Sequence, residues 1–557
     1  MSLEGHLERL SRGWRGVAVA ALVAFLAGLP GLFAVPPLDR DESRFAQATA
    51  QMLETDDYVV IRFQDEPRFK KPVGIHWMQA ASVSLLSDEA AREIWAYRIP
   101  SLLGAMLAAG ACAWGAGLFF GRTGGMFAGA ILGASILLST EAFIAKTDAA
   151  LCGFTTLAMA ALARIYGAAN GVGQVGWPTR LAFWIGISVA ALIKGPVGPM
   201  VVGLAMLALW IMDRRAPWAR NMAWDWGLIL FVAIVGPWSA AVTVATDGGF
   251  WLTAIGGDLA PKLVGGHERH WGPPGYHTLL TPFLFFPGSI LLPAALIAGW
   301  KYRDEPGVRF ALAWIITTWL AFEIAPTKLV HYTLPGYGGL AWLAAAALLA
   351  PMGRVGRWAG VVVSVLAAVL FAGLIFYLAG EYGDPSDVFP AAVAGGLFIA
   401  AGAAGAYMLA RKAVRGALLS AGVLAILAHG ALAAAFLPRL EPLWLSREIE
   451  EALAARRLLP RQGIAPAPVA VAGYAEPSLV FALGTPTDLG DAGDAAAAIA
   501  AGRPAVVEAR EEAAFQAGLA ILRAQASEVG RVQGLDYSNG DEMDLRIYAP
   551  RSPVGVP

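Results

Sequence analysis

Charge is scarce in this 557-residue chain: Asp, Glu, Lys and Arg supply 15% of it against 57% hydrophobic residues. A soluble globule of this size could not hide so much apolar surface in one core, so bilayer lipid is part of its solvent. An excess of basic charge is also lacking. The formal net charge of −1 provides no global field to gather nucleic acid; no nucleic-acid partner is expected, and charge has to be read loop by loop. Cysteine is nearly absent. Cys112 and Cys152 both lie inside apolar stretches, which argues against a disulfide scaffold or a Cys-based metal site and predicts two buried packing residues.

Long apolar runs are abundant instead. Residues 17–35 and 123–140 contain no charge, and each approaches the roughly 20 residues that a helix needs to cross a bilayer. Hydropathy gives about 13 spans, beginning near residues 16, 97, 124, 147, 181, 197, 226, 279, 308, 333, 357, 389 and 416. Arg9, Arg12 and Arg15 precede the first of them like the head of a signal peptide; with so many spans following and no convincing small-residue cleavage site, an uncleaved first helix is expected.

Loop charge predicts the orientation. With the N-terminus inside, alternate loops carry Arg122, Arg180, then Arg214, Arg215 and Arg220, then Lys301, Arg303 and Arg309, then Arg354 and Arg357, then Arg411, Lys412 and Arg415. That is the cytoplasmic signature. The opposite side, periplasm or cell exterior, receives residues 36–96, 246–278, 327–332, 381–387 and everything after about 438. The apolar stretch 72–86 is too short to cross, and counting it as a span would reverse the bias of every later loop; it is expected to lie at the outer interface.

Beyond residue 438 short β-rich runs (469–473, 505–508, 545–548) alternate with helical stretches such as 447–457 and 513–526, which predicts a small α/β domain without a GxGxxG or P-loop pattern. The expected fold is therefore an all-α polytopic membrane domain over 1–437, its outer loop 36–96 carrying juxtamembrane helices, followed by a soluble periplasmic α/β domain over 438–557.

The chemistry-bearing residues gather on the outer side. Leu38-Asp39-Arg40-Asp41-Glu42-Ser43-Arg44 puts five charges in six positions after the first span, where acidic residues could simply open a helix. Phe69-Lys70-Lys71-Pro72 offers two ammoniums that could snorkel to headgroups or clamp a phosphate. Ala145-Lys146-Thr147-Asp148 sets a carboxylate at the outer end of a span, a costly position unless it is paired or wet. Ile193-Lys194-Gly195-Pro196, Gly266-His267-Glu268-Arg269-His270 and Thr327-Lys328-Leu329-Val330-His331-Tyr332 reach the same boundary. A lone Lys or His there would mean little. Together these segments, Glu42, Lys70, His267 and Lys328 among them, predict one site for an anionic ligand at the lipid interface.

Asp-Glu-x-Arg-Phe-Ala after the first span, Lys-Pro about thirty positions later, Asp148, Lys-Gly at 194–195 and Lys-Leu-x-x-Tyr at 328–332 resemble the GT-C superfamily. The closest resemblance is to the ArnT-like branch of the PMT-type (family 39/83) glycosyltransferases, which modify lipid A with 4-amino-4-deoxy-L-arabinose; the likeness covers nearly the whole chain. It implies that Asp41 and Asp148 are the acidic residues at the reacting acceptor and donor. It further implies that Arg44, Lys71, Lys194, Arg269 and Tyr332 line the cavity and hold the carrier phosphate. A polyprenyl-phosphate-linked sugar would then be the donor, and lipid A or another glycan or protein the acceptor, in a bacterial inner membrane. No cofactor is demanded, and a divalent metal ion stays open. One departure stands out: where the aminoarabinose enzymes resemble Phe-Glu-Lys-Pro, this chain has Phe69-Lys70-Lys71-Pro72, which disfavours a cationic sugar and weakens a metal site built on that carboxylate. A protein mannosyltransferase is the rival within the enzyme class. A lipid or sugar transporter is the rival outside it, disfavoured because ionisable residues cluster at one boundary rather than at the midplane and no internal repeat is evident.

Overall fold

The computed structural model describes residues 3–38, 40–261, 271–460 and 468–551. Among the described residues eight helices are long and apolar enough to cross a membrane, and a ninth candidate is the bent pair Tyr276–Leu284 and Gly288–Lys301, whose halves meet at 109°. The expected starts all fall on helical elements, but the other four are shorter or more polar: Gly121–Ala134, Trp177–Lys194, Val197–Asp213 and Leu334–Leu349.

The packing logic is that of lipid-solvated helices. In the helix Arg354–Tyr382 the buried face is Gly356, Gly360, Ser364, Ala367, Ala368 and Ala372, while Val362, Val365, Leu366, Val369 and Leu370 face outward. Small residues let backbones approach, and bulky apolar side chains meet lipid. After the short helix α1 (Leu3–Leu10), the first span, α2 (Arg15–Ala34), repeats this with Ala20, Ala24, Ala27 and Gly28 inside and Leu22, Leu26 and Phe33 outside. Both cysteines are buried and free, as expected.

After α2 the chain makes α3 (Arg40–Thr55), a two-stranded ribbon of β1 (Arg62–Phe63) and β2 (Glu66–Pro67), and α4 (Gly74–Leu86), before α5 (Ile94–Phe119) spans. Gln64 takes the left-handed conformation, φ 53°, that the ribbon's tight turn demands. The helix α4 occupies the segment assigned above to the interface and packs on α3 and α5, with Thr49 Oγ1 2.8 Å from both His76 Nδ1 and Gln79 Oε1. Burial holds the His76 pKa down at about 3, with Arg68 acting in the same sense, so its ring is neutral.

Four further helices follow, of which the last two bring residues to the site. They are α6 (Gly121–Ala134), α7 (Ile136–Glu141), α8 (Asp148–Ala169) and α9 (Trp177–Lys194). The crossing of α5 and α8 is glycine-made. A Cβ on Gly104 would stand 2.5 Å from the Ala150 Cα, and one on Gly153 would stand 2.5 Å from the Gly104 carbonyl oxygen. At the far end of α8, Gly171-Val172-Gly173-Gln174-Val175-Gly176 has G-x-G-x-x-G spacing. It joins two helices, α8 and α9, and lacks the preceding strand that a dinucleotide fingerprint requires.

The C-terminal part forms a five-stranded sheet of order β4-β3-β5-β7-β6, from β3 (Ala470–Ala472), β4 (Asp488–Gly490), β5 (Ala505–Glu508), β6 (Ala526–Asp536) and β7 (Asp541–Pro550). The strand β3 runs parallel to β4 and β5, and β6-β7 is an antiparallel hairpin. Helices cover both faces: Ile449, Leu453 and Leu479 pack on one side, Ala495, Ile499, Phe515 and Leu519 on the other. This α/β unit sits on the α3 region. Gln64 Nε2 donates to the carbonyls of Thr485 and Thr487, and Arg92 donates to the Phe481 carbonyl, to Gln47 Oε1 and to the Glu54 carboxylate.

Candidate active site

At the helix ends that meet α3 lies a cavity of about 270 Å³. The N-terminal turn of α3 brings in Asp41, and the exit of the β-ribbon brings Arg68, Lys70 and Lys71. The start of α8 brings Lys146 and Asp148, the last residue of α9 brings Lys194, and the 321–335 segment brings His331 and Tyr332. Between these polar groups the wall is apolar, with Phe45, Leu151, Val197, Met200, Phe250 and Phe322. Gly195, at φ 58°, lets the chain reverse directly after Lys194.

Asp148 is the hub. Its Oδ1 accepts from Lys194 Nζ at 2.5 Å, and its Oδ2 lies 3.6 Å from His331 Nε2. Lys194 Nζ also stands 5.5 Å from the centre of the Tyr332 ring. Lys146 Nζ is 3.2 Å from Glu141 Oε1 and 3.4 Å from His331 Nδ1. Burial pushes the His331 pKa well below the usual imidazole range; Asp148 pulls it up, but Lys146 and Lys194 push with burial. The ring is therefore neutral, its Nδ1 accepting from the Lys146 ammonium and its Nε2 facing Asp148. Asp41, across the cavity, has a half-exposed side chain with Arg44 at 3.5 Å and Arg68 at 3.6 Å from Oδ1. Burial raises its pKa, but Arg68, Arg44, Lys146 and Lys71 outweigh that and hold it below the ordinary carboxylate value.

Of the residues picked from the sequence, Asp41, Lys70, Lys71, Asp148, Lys194 and Tyr332 share this wall, and Arg44 stands just behind Asp41. Two do not reach it. Glu42 is fully buried: its carboxylate takes Arg98 Nε and Nη2 at 2.8 and 3.0 Å, the Leu38 N–H at 2.8 Å and the Ala145 N–H at 2.7 Å. Arg98 also donates to carbonyls of Gly31, Leu32, Val35 and Pro36, so the pair staples the end of α2 to α3 and α5 and has no capacity left for a ligand. Lys328 turns away as well. Its ammonium donates to the carbonyls of Phe322, Glu323 and Ala325 and so caps the helix Pro306–Ile324. His267 and Arg269 lie outside the described residues.

Three cavity groups went unselected: Arg68, Lys146 and His331. The first adjoins Phe69-Lys70-Lys71, the other two sit inside motifs already singled out, and the clustering of cations was the available signal. Glu141, Asp148 and His331 could hold a metal ion, their ligand atoms lying within 4.8 Å of one another. Lys146 and Lys194 already ion-pair with the two carboxylates, so the positive charge that a cation would bring is supplied there by the two ammoniums.

Apolar helices on a glycine-packed frame, with a cationic cavity at one end, describe a multi-pass membrane protein, and its fold is that of ArnT. Over 96% of its length the chain superimposes on 97% of ArnT from Cupriavidus metallidurans in the apo state, with a TM-score of 0.75 at 19% identity. Against the same protein bound to undecaprenyl phosphate the TM-score is 0.73 at 21% identity, covering 97% of this chain and 98% of that one. At these identities the likeness shows a shared fold. The family described as dolichyl-phosphate-mannose-protein mannosyltransferase matches residues 70–240. The curated undecaprenyl phosphate-alpha-4-amino-4-deoxy-L-arabinose arabinosyl transferase of Aeromonas salmonicida is 26% identical over 323 residues, 57% of this chain and 58% of that protein. That of Yersinia pestis is 27% identical over 308 residues, 55% and 54%. The chain thus matches these relatives over little more than half their length.

Proposed function

We propose that this protein is a membrane glycosyltransferase that moves a sugar from a polyprenyl phosphate, undecaprenyl phosphate by analogy with the relatives, to lipid A or a related outer-facing acceptor. The observation that carries this reading is a cavity lined by both Asp41 and Asp148 together with Lys70, Lys71, Lys194 and Tyr332, with apolar walls between. An isoprenoid phosphate needs that combination: cations for the phosphate and apolar surface for the chain.

In the proposed reaction an acceptor oxygen bonds to the anomeric carbon while the bond from that carbon to the phosphate oxygen breaks, and its electron pair leaves with the phosphate. Lys194 and Lys71 neutralise the growing charge. Asp41 takes the acceptor proton, and Asp148, fixed by Lys194, orients the phosphate-binding ammonium. In the proposed topology the cavity and the sheet domain lie outside, the N-terminus inside.

The test is transfer by the purified protein from undecaprenyl-phosphate-linked sugars to lipid A, read as a mass increase of one glycosyl unit. Absence of product with aminoarabinose, galacturonate and hexose donors would overturn the reading. The mannosyltransferase match over 70–240 favours a second reading with a protein acceptor, tested by offering a serine- and threonine-rich peptide in the same assay.

A further inference from the structure

The first turn of α3 carries three charged residues in a row, Arg40, Asp41 and Glu42, and successive side chains on a helix point about 100° apart. They take three directions. Glu42 is tied to Arg98 in the membrane frame, and Asp41 lines the cavity. Arg40 reaches the sheet domain instead, where its Nε lies 3.4 Å from Glu476 Oε1. Asp41 therefore stands between two anchors, one in α5 and one in the sheet domain.

Glu476 is the fixed member of its pair. It is 2% exposed and sits in the loop from β3 to the short helix Pro477–Leu483, which packs on α3. Ser538 Oγ, in the turn between β6 and β7, donates to the same Oε1 at 2.8 Å. Oε2 is buried and takes no hydrogen bond, and among the described residues Arg40 makes the one ion pair of this carboxylate. A buried charge with one oxygen unbonded is a cost to the sheet domain's own stability. The carboxylate is accounted for as a grip on α3.

We propose that Glu476 is a positioning residue for transfer: by holding Arg40 it locks the first turn of α3 against the sheet domain, so that, with Glu42 fixed on the other side, Asp41 is aimed into the cavity. The proposal rests on the transferase reading and deepens it, giving the sheet domain a part in the reaction rate.

A pH dependence follows. Burial raises the Glu476 pKa above the ordinary glutamate value, with Asp536 acting in the same sense; Ser538, and Arg40 and Arg44 from α3, oppose this without cancelling it. Tyr474, on the same loop, is the other titratable group beside it. As pH falls through the raised value the carboxyl becomes neutral and releases Arg40, while Asp41, with its lowered pKa, is still ionised. The unmutated protein should show that acid limb in kcat.

Purified Glu476→Gln and Arg40→Met should each lower kcat for transfer from an undecaprenyl-phosphate-linked sugar to lipid A by about tenfold, the scale of a slightly misplaced reacting group. The acceptor KM and the affinity for undecaprenyl phosphate should not change, and the acid limb should disappear from both profiles. Arg40→Lys, which keeps the cation, should retain most of the rate. The double variant should be no slower than either single one, because the two residues act through one contact. Arg40 is exposed, so its replacement leaves the core intact even where Glu476→Gln does not fold. A folded Arg40→Met protein with unaltered kcat and acid limb, or losses that multiply in the double variant, would overturn the positioning role alone. Absence of transfer by the unmutated protein would instead overturn the transferase reading, and this proposal with it.

Discussion

Asp148 is a carboxylate held by Lys194 and faced by a neutral His331, and Asp41 is one held by Arg44 and Arg68. Replacing either with Asn conserves size and removes charge. Each variant should fold and lose about 10² or more in transfer rate, as expected for a base or a charge stabiliser. Full activity in both purified variants would remove them from the reacting set. The depressed pKa of Asp41 sets the sign of its pH effect: the carboxylate stays ionised above the unfolded value near 3.9 and protonates only as pH falls through the lower folded value. Its stabilising ion pairs and its basicity are both present from there upward, so a pH–rate profile should show no acid limb from Asp41 near neutrality. Lys70 carries a different prediction. Among the described residues lining the cavity the cations Arg68, Lys70, Lys71, Lys146 and Lys194 outnumber the carboxylates Asp41 and Asp148, with Glu141 beside Lys146, and by the resemblance drawn from the sequence Lys70 takes the place of a glutamate. Like charges at about 4 Å and an effective dielectric near 20 repel by roughly 4 kcal/mol before solvation is counted. In competition between donors the unmutated protein should prefer galacturonate or a neutral hexose over aminoarabinose, and Lys70→Glu should shift the ratio towards aminoarabinose by about tenfold or more. Selectivity unchanged by the substitution would end the charge-matching idea.

Helices position these residues through contacts that tolerate almost no added atoms. Asp148 is the first residue of α8, and α8 lies against α5 where Gly104 meets Ala150 and Gly153 meets Gly104. A branched side chain at 104 has no flexible neighbour to displace, because the nearest atoms are backbone; the helices would have to separate. Gly104→Val should therefore shift Asp148 from Lys194 and abolish most transfer, with a destabilisation of about 1–3 kcal/mol typical of overpacking. Wild-type melting temperature and activity in that variant would show that the crossing is looser than it looks. The Glu42–Arg98 pair works at the same level. A buried pair with every lone pair satisfied holds three helices in register, and removing one partner characteristically costs about 3–5 kcal/mol because the other charge stays buried. This explains why Glu42, adjacent to Asp41 in sequence, belongs to the frame: successive residues on a helix point about 100° apart, so only one of the two can face the cavity.

For the molecule as a whole, span positions and the α/β character of the C-terminal part were legible, because apolar runs and strand alternation are local signals. So was the gathering of Asp41, Lys70, Lys71, Asp148, Lys194 and Tyr332, since each sits at one kind of membrane boundary. What could not be read was which charges are used up by the frame. Glu42 finds Arg98 56 positions away and Lys328 finds helix carbonyls, partnerships that no loop-by-loop reading reveals. Orientation across the membrane follows from the same loop signals and can be tested outright. The basic clusters at 122, 180, 214–220, 301–309, 354–357 and 411–415 occupy the connections that alternate with those bearing the cavity. Counting the bent pair with the long spans gives nine crossings, and counting the four shorter helices as well gives thirteen; both numbers are odd and send the two ends to opposite sides. Short loops rich in Lys and Arg stay in the cytoplasm, so the N-terminus should be inside and the sheet domain outside. Alkaline phosphatase fused after the last strand should be active, and a green fluorescent reporter at the same position, which matures only in the cytoplasm, should stay dark. The reverse pair of results would put the cavity on the cytoplasmic face, where a donor sugar would have to be met before it is flipped.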